Sequence, residues 1–250
     1  MNDHPDRHHR RTIHIPDHIP GNGQPPIIVQ TLKLSDIQAR VFSPGLKPDG
    51  PSMRSRIFEA RMFDVPFLSD DELIRVNRFK ALKKQMEWIC GRFALKTLAK
   101  DILDSAISLD QIRIDYREKG APYLTQFPEI PISLSHSGDY TAAAITLDTK
   151  MTLGIDIEKI GTMPDQGFMK TAFTKDEIRH MPAGARAVFY NWTLKEAFLK
   201  FLGLGFNESL HHVAVIKDRI YHCEKIQIVH TWSCFPDDRY VMSLVYGRKK

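Results

Sequence analysis

Residues 153–160 read LGIDIEKI and residues 191–206 read NWTLKEAFLKFLGLGF, and these two stretches decide the architecture expected of the 250-residue chain. In the first, polar and aliphatic residues alternate as in a β-strand, with Asp156 and Glu158 on one face and Ile155 and Ile157 on the other. The second is a helix. Trp192, Glu196 and Lys200 recur every four residues along one side, and Leu194, Ala197, Phe198, Phe201 and Leu202 form an apolar stripe for the core. Gly203 or Gly205 stops it. Two carboxylates on a strand and a third on a packed helix form an all-oxygen donor set for a hard cation. Mg²⁺ binds through one or two such carboxylates together with phosphate oxygens. Lys200, one turn beyond Glu196, is then placed to meet an anion beside the metal. Each piece alone also suits a structural role, as a solvated edge strand or as i,i+4 support on a helix surface.

Composition narrows the class without selecting a function. A chain of 250 residues buries a substantial core, as one large domain or two small ones. No apolar run approaches the length of a membrane span, and the polar, His-rich N-terminus lacks the apolar middle of a secretory signal. Cys90, Cys223 and Cys234 make no C-x-x-C pair, so a disulfide framework or zinc knuckle is not expected and a reducing cytoplasm is. The net charge of +5 mildly favours acidic partners, whether nucleic acid or an acidic protein.

Along the chain, residues 1–26 read as a disordered tail rich in His, Pro, Asp and Arg. A strand begins at Ile27, a Pro/Gly-rich loop covers Ser43 to Ser52, and a further strand covers Arg56 to Phe63. Ser69 is the expected N-cap of a helix whose first turn holds Asp70, Asp71 and Glu72; the helical region continues, with a break, to Leu103. It carries Arg75, Arg78, Lys80, Lys83, Lys84, Arg92, Lys96 and Lys100, most of them read as a solvated cationic face. Thr174-Lys175-Asp176-Glu177 is a capping box, and the C-terminal stretch alternates as strands joined by turns. The basic helix lacks the interleaved aromatics of a single-strand platform, so no nucleic-acid partner and no membrane partner is expected.

A third segment joins these pieces. In residues 120–146, GAPYLTQFPEIPISLSHSGDYTAAAIT, Ile132, Leu134 and His136 share a strand face, and the Ser135-His136-Ser137-Gly138 turn follows. Gly120-Ala121-Pro122, Ser135 to Gly138, Gly154 to Glu158, and Trp192 to Lys200 occur in the order Gly-x-Pro, SHSG, G-x-D-x-E and W-x-x-K-E-A-x-x-K. With these motifs the chain resembles the 4′-phosphopantetheinyl transferases of the surfactin-synthetase (Sfp) type, in the holo-acyl-carrier-protein synthase superfamily, over most of residues 65–210.

The resemblance implies an α+β fold of two similar halves, 27–145 and 146–250, each a small antiparallel sheet with a long helix packed on it. It also implies Mg²⁺-dependent transfer of the phosphopantetheine arm of coenzyme A to a serine of an apo acyl or peptidyl carrier protein, by a monomer. Asp156, Glu158 and Glu196 would be the metal ligands. Glu196 would act as base, directly or through a coordinated water, and Lys200 would stabilise the leaving group. His136, Ser135, Lys200 and Arg75 would contact coenzyme A. Trp192 reads foremost as a helix-anchoring aromatic. The chain departs from the pattern at Ala121, where a lysine is usual, and at Lys84 and Glu87, where an acid and an arginine are usual. Two alternatives stand beside this expectation: a metal-dependent phosphodiesterase, and a non-catalytic module that binds carrier protein or coenzyme A.

Overall fold

A computed structural model describes residues 10–15, 26–41, 65–103, 106–205 and 208–249. The expected loop at 43–52 and strand at Arg56–Phe63 lie outside the described residues. After β1 (Arg10–Ile15), the chain runs through β2 (Ile27–Lys33), α1 (Leu34–Val41), α2 (Asp70–Val76), α3 (Leu82–Ile102), β3 (Ile114–Tyr116), β4 (Pro122–Leu124), β5 (Ile132–Ser137) and β6 (Tyr140–Ile145). A similar succession follows: β7 (Met151–Lys159), α4 (Gln166–Ala172), α5 (Lys175–His180), α6 (Ala185–Phe201), β8 (Val213–Ile216), β9 (Arg219–His222), β10 (Lys225–Ile226), β11 (His230–Cys234) and β12 (Tyr240–Arg248). The first sheet is ordered β1-β2-β6-β5 and a second β11-β12-β7, so the antiparallel core β2-β6-β5 has a counterpart in β7-β12-β11. The fold is α+β, as expected.

Arg10–Ile15 corrects the expectation of an unbroken tail over residues 1–26. Thr12-Ile13-His14-Ile15 alternates, and its pairing with β2 sets Ile13 opposite Val29. There Ile13 packs against the buried cluster that includes Tyr140, Leu153 and Ile155. Strand β6 explains how thin layers share one core. Ala143 and Ile145 face Ile89, Cys90 and Leu95 of α3, while Ala142 and Ala144 face Ile155, Ile157, Met242 and Leu244 of the second sheet. A strand buried on both faces reads as a continuous apolar run. Full burial of Ile155 and Ile157 stabilises by roughly 1.5–3 kcal/mol each, whereas an exposed ion pair contributes about 0–1. That burial holds β7 and turns its acids to the opposite face.

One device occurs once in each half. Ser69 caps α2 and Glu72 caps back, its Oε2 accepting from Ser69 N at 3.0 Å. Thr174 and Glu177 do the same for α5, at 2.7 Å. Each glutamate also receives a buried lysine from the long helix of its half. Lys96 Nζ bonds Glu72 and the Phe67 carbonyl (2.8 Å); Lys195 Nζ bonds Glu177 (2.8 Å) and the Ala172 carbonyl (2.7 Å). Lys96 therefore departs from the solvated face expected of the basic helix. So does Arg92, which lies 3.3 Å from Glu72 between the rings of Trp88 and Tyr116. A buried cation persists only with such a partner.

Candidate active site

Helix α6 crosses β7 at Gly154, and that crossing creates the site. A Cβ on Gly154 would lie 2.1 Å from the Ala197 carbonyl oxygen and 2.3 Å from Phe201 N. The helix thus rests directly on the strand, on the face that carries Asp156 and Glu158 two and four residues on. Thr193 Oγ1, 2.8 Å from Ser243 Oγ of β12, and Lys195, tied to Glu177, hold the helix from its other sides. Glu196 and Lys200 are carried over the strand acids.

The structure brings Asp156, Glu158, Glu196, Lys200, Ser135 and His136 onto the walls of one cavity of about 690 Å³. Asp156 is buried, and its Oδ1 accepts from Ser135 Oγ at 2.7 Å and from Lys200 Nζ at 2.8 Å. Glu158 Oε2 accepts from Ser137 Oγ at 2.7 Å, and its Oε1 from the Trp192 indole N–H at 3.4 Å. Burial first, and the neighbouring Asp156 charge second, push the Glu158 and Glu196 carboxyls up to about 7. His136 lies at the rim with Nδ1 3.8 Å from Glu87 Oε2. Desolvation of its ring lowers its pKa, although two-fifths of the side chain stays exposed; Glu87 opposes that shift, and Lys200 and Lys84 reinforce it.

Arg75 is not gathered with the others: it is exposed and stacks 5.0 Å from the ring of Tyr116, which does line the cavity. Ser135, His136 and Ser137 extend β5, and the turn falls at Gly138–Asp139 because Ser137 still pairs with Tyr140. Trp192 is an anchor, edge-on to Phe168 and Phe173, but its N–H also reaches the site acids. Glu87, which reads from sequence only as a departure from a motif, is a buried wall residue beside His136. Its signal was faint, since Lys83 and Lys84 three and four residues before it suggest surface pairing.

Among the described residues no three His, Cys, Asp or Glu side chains stand close enough to cage a metal as they are. Their chemistry nevertheless fits a hard dication. Asp156, Glu158 and Glu196 meet one ammonium, that of Lys200, while Lys84, Arg92, Lys119 and Glu87 line the rest of the cavity. Asp156 Oδ2 and Glu196 Oε1 are buried with no hydrogen-bond partner, and unpaired buried acceptors are costly. Lys200 now occupies one acceptor that a metal site would share.

Residues 152–245 match the model of the 4′-phosphopantetheinyl transferase superfamily. The chain is 28% identical over 177 residues to the 4′-phosphopantetheinyl transferase psf-1 of Bacillus pumilus, covering 68% of this chain and 72% of that protein. It is 29% identical over 189 residues to the 4′-phosphopantetheinyl transferase HetI of Nostoc sp., covering 71% and 77%. It is also 29% identical over 156 residues to the L-aminoadipate-semialdehyde dehydrogenase-phosphopantetheinyl transferase of Rattus norvegicus, and spans about half of that longer protein, 49%. Among the described residues no helix is long and apolar enough to cross a membrane.

Proposed function

We propose that this protein transfers the 4′-phosphopantetheine arm of coenzyme A to a serine hydroxyl of an acyl or peptidyl carrier protein, in a Mg²⁺-dependent reaction that releases adenosine 3′,5′-bisphosphate. The observation that carries the reading is the meeting of Asp156, Glu158, Glu196 and Lys200 in one cavity, with two acceptor oxygens left bare. Asp156, Glu158 and Glu196 are the residues that would hold Mg²⁺, which when bound supplies charge neutralisation at the diphosphate.

The chain's own groups account for the remaining steps. His136 and Lys200 line the wall where the diphosphate would lie, offering a ring N–H and an ammonium to its oxygens. The carrier serine Oγ bonds to the phosphorus that bears the pantetheine arm, and the bond from that phosphorus to the bridging oxygen breaks. The electron pair leaves with adenosine 3′,5′-bisphosphate, whose new charge Lys200 meets. Glu196 takes the proton released by the serine hydroxyl. The cavity's aromatic end, with Phe79, Trp88 and Tyr116, gives an apolar wall on which a nucleoside or pantetheine chain can pack. A monomer in a reducing compartment is consistent with these walls coming from one chain and with cysteines that make no C-x-x-C pair.

Incubation of the protein with apo-carrier, coenzyme A and Mg²⁺ is expected to yield carrier heavier by one phosphopantetheine, read by intact mass. Glu196→Gln should lower the rate by about 10²–10⁴-fold, and Asp156→Asn should abolish product. Undiminished transfer by folded Glu196→Gln would refute the assigned role. Unmodified carrier with every class of carrier tried would refute the function.

A further inference from the structure

Strands β5 and β7 run side by side but belong to different sheets. Serine hydroxyls connect them. Alternation puts Ser133, Ser135 and Ser137 on one face of β5, and all three meet β7. Ser133 Oγ accepts from Ile155 N at 3.0 Å, and Ser137 Oγ accepts from Lys159 N at 3.1 Å. Ser135 donates to Asp156 and Ser137 to Glu158, both at 2.7 Å, short bonds of the charge-assisted kind.

The geometry points to Ser135 and Ser137 as positioning residues that aim the two strand carboxylates at the metal, an inference that rests on the proposed Mg²⁺ site. A hydroxyl has one proton, and its donating direction is ordinarily free to rotate. At Ser137 that freedom is removed: Lys159 N–H takes a lone pair, so the proton is directed to Glu158 Oε2. Trp192 holds the other oxygen of the same carboxylate. At Asp156, Ser135 and Lys200 share Oδ1, which turns the bare Oδ2 toward any cation. Neither serine need touch the ion. The hydroxyls come from the first half's sheet and the acids from the second, so the site is complete only when the two sheets are docked. The hydroxyl of Ser135, a residue expected from sequence to contact coenzyme A, is engaged by Asp156.

The test is Mn²⁺ binding, followed by loss of the free-ion electron paramagnetic resonance signal, in full-length wild type, Ser137→Ala, Ser135→Ala and Ser137→Thr. Outer-shell partners of metal ligands typically affect metal affinity by about 10–100-fold. Both alanine variants are therefore expected to bind Mn²⁺ about tenfold or more weakly, and Ser137→Ala to change coenzyme A affinity in the absence of metal by less than about twofold. Ser137→Thr, which keeps the hydroxyl, should recover most of the loss. Wild-type Mn²⁺ affinity in Ser137→Ala overturns the inference and leaves the proposed metal site standing. Weakened binding that Thr does not restore, with a parallel fall in melting midpoint, makes Ser137 merely structural and overturns it too. Wild-type protein that takes up no Mn²⁺ overturns the metal site itself, and this inference with it.

Discussion

Gly154→Ala is expected to disable the site without touching any reacting group. The added methyl would start 2.1 Å from the Ala197 carbonyl oxygen and 2.3 Å from Phe201 N, both backbone atoms with no rotamer to escape into. Ordinary contact begins near 3.4 Å, so α6 must retreat by roughly 1.3 Å or β7 must buckle. The Lys200–Asp156 bond, 2.8 Å long, cannot survive that shift. Overpacking of this kind costs about 1–3 kcal/mol, or roughly 3–10 °C in melting midpoint for a domain of this size. A displacement near 1 Å of a catalytic group can cost about 10²-fold in rate. The assay pairs a thermal melt with the initial rate of carrier modification by intact mass. Gly161→Ala is the control, because its methyl would meet only the Phe189 ring at an ordinary 3.7 Å. Gly154→Ala with a wild-type melting midpoint and a rate within twofold of wild type would refute the view that direct contact of helix on strand sets the site.

Three further outcomes are expected. Glu72→Ala leaves the buried Lys96 ammonium and the Arg92 guanidinium without their carboxylate and should destabilise by about 3–5 kcal/mol in urea unfolding; adding Lys96→Met should recover part of the loss. Burial pushes the Cys90 thiol up to about 12, so Cys90 should resist a thiol reagent at pH 8 until the protein is denatured, while the exposed Cys223 reacts in the native state, as read by peptide mass. Coenzyme A incubated with protein and Mg²⁺ but no carrier should stay intact by chromatography; release of adenosine 3′,5′-bisphosphate under those conditions would favour a phosphodiesterase.

What was legible in the sequence was whatever depends on short-range periodicity. The β7 alternation, the face of α6 bearing Trp192, Glu196 and Lys200, the Ser69 N-cap and the Thr174 capping box follow from residues within a few positions of one another. What was not legible depends on partners far along the chain. Lys96 reads as one more surface lysine until Glu72 and the Phe67 carbonyl, brought from another element, receive it in the core. The strand at Arg10–Ile15 is short and sits in a His- and Pro-rich stretch, and only β2 gives it an edge to pair with. Ser135 and Ser137 were visible as residues, yet nothing local said that their hydroxyls would cross to another sheet.

Among the described residues the β2-β6-β5 and β7-β12-β11 sheets share a frame, and the difference between them accounts for the proposed metal site lying on β7 rather than on β2. Glu196 follows Lys195 directly on α6; the residue that follows Lys96 on α3 is Thr97. Asp156 lies on β7, under α6; on β2, the strand in the matching place, buried Gln30 donates its Nε2 to Thr97 Oγ1 at 3.1 Å. The amide and the hydroxyl are neutral and leave no charge for a cation to meet, although Gln30 Oε1 too lacks a partner, whereas Asp156 and Glu196 are carboxylates that repel and each keep a bare oxygen. The first half contributes from the side instead, through the β5 hydroxyls, His136 and the wall formed by Glu87, Trp88 and Tyr116. Replacing Gln30 and Thr97 together by Asp and Glu should not create a second Mn²⁺ site, because among the described residues β2 is flanked by β1 and β6, and neither strand carries a serine. A second bound ion in that variant would show that acids on the shared frame suffice, and that the hydroxyls of β5 are dispensable.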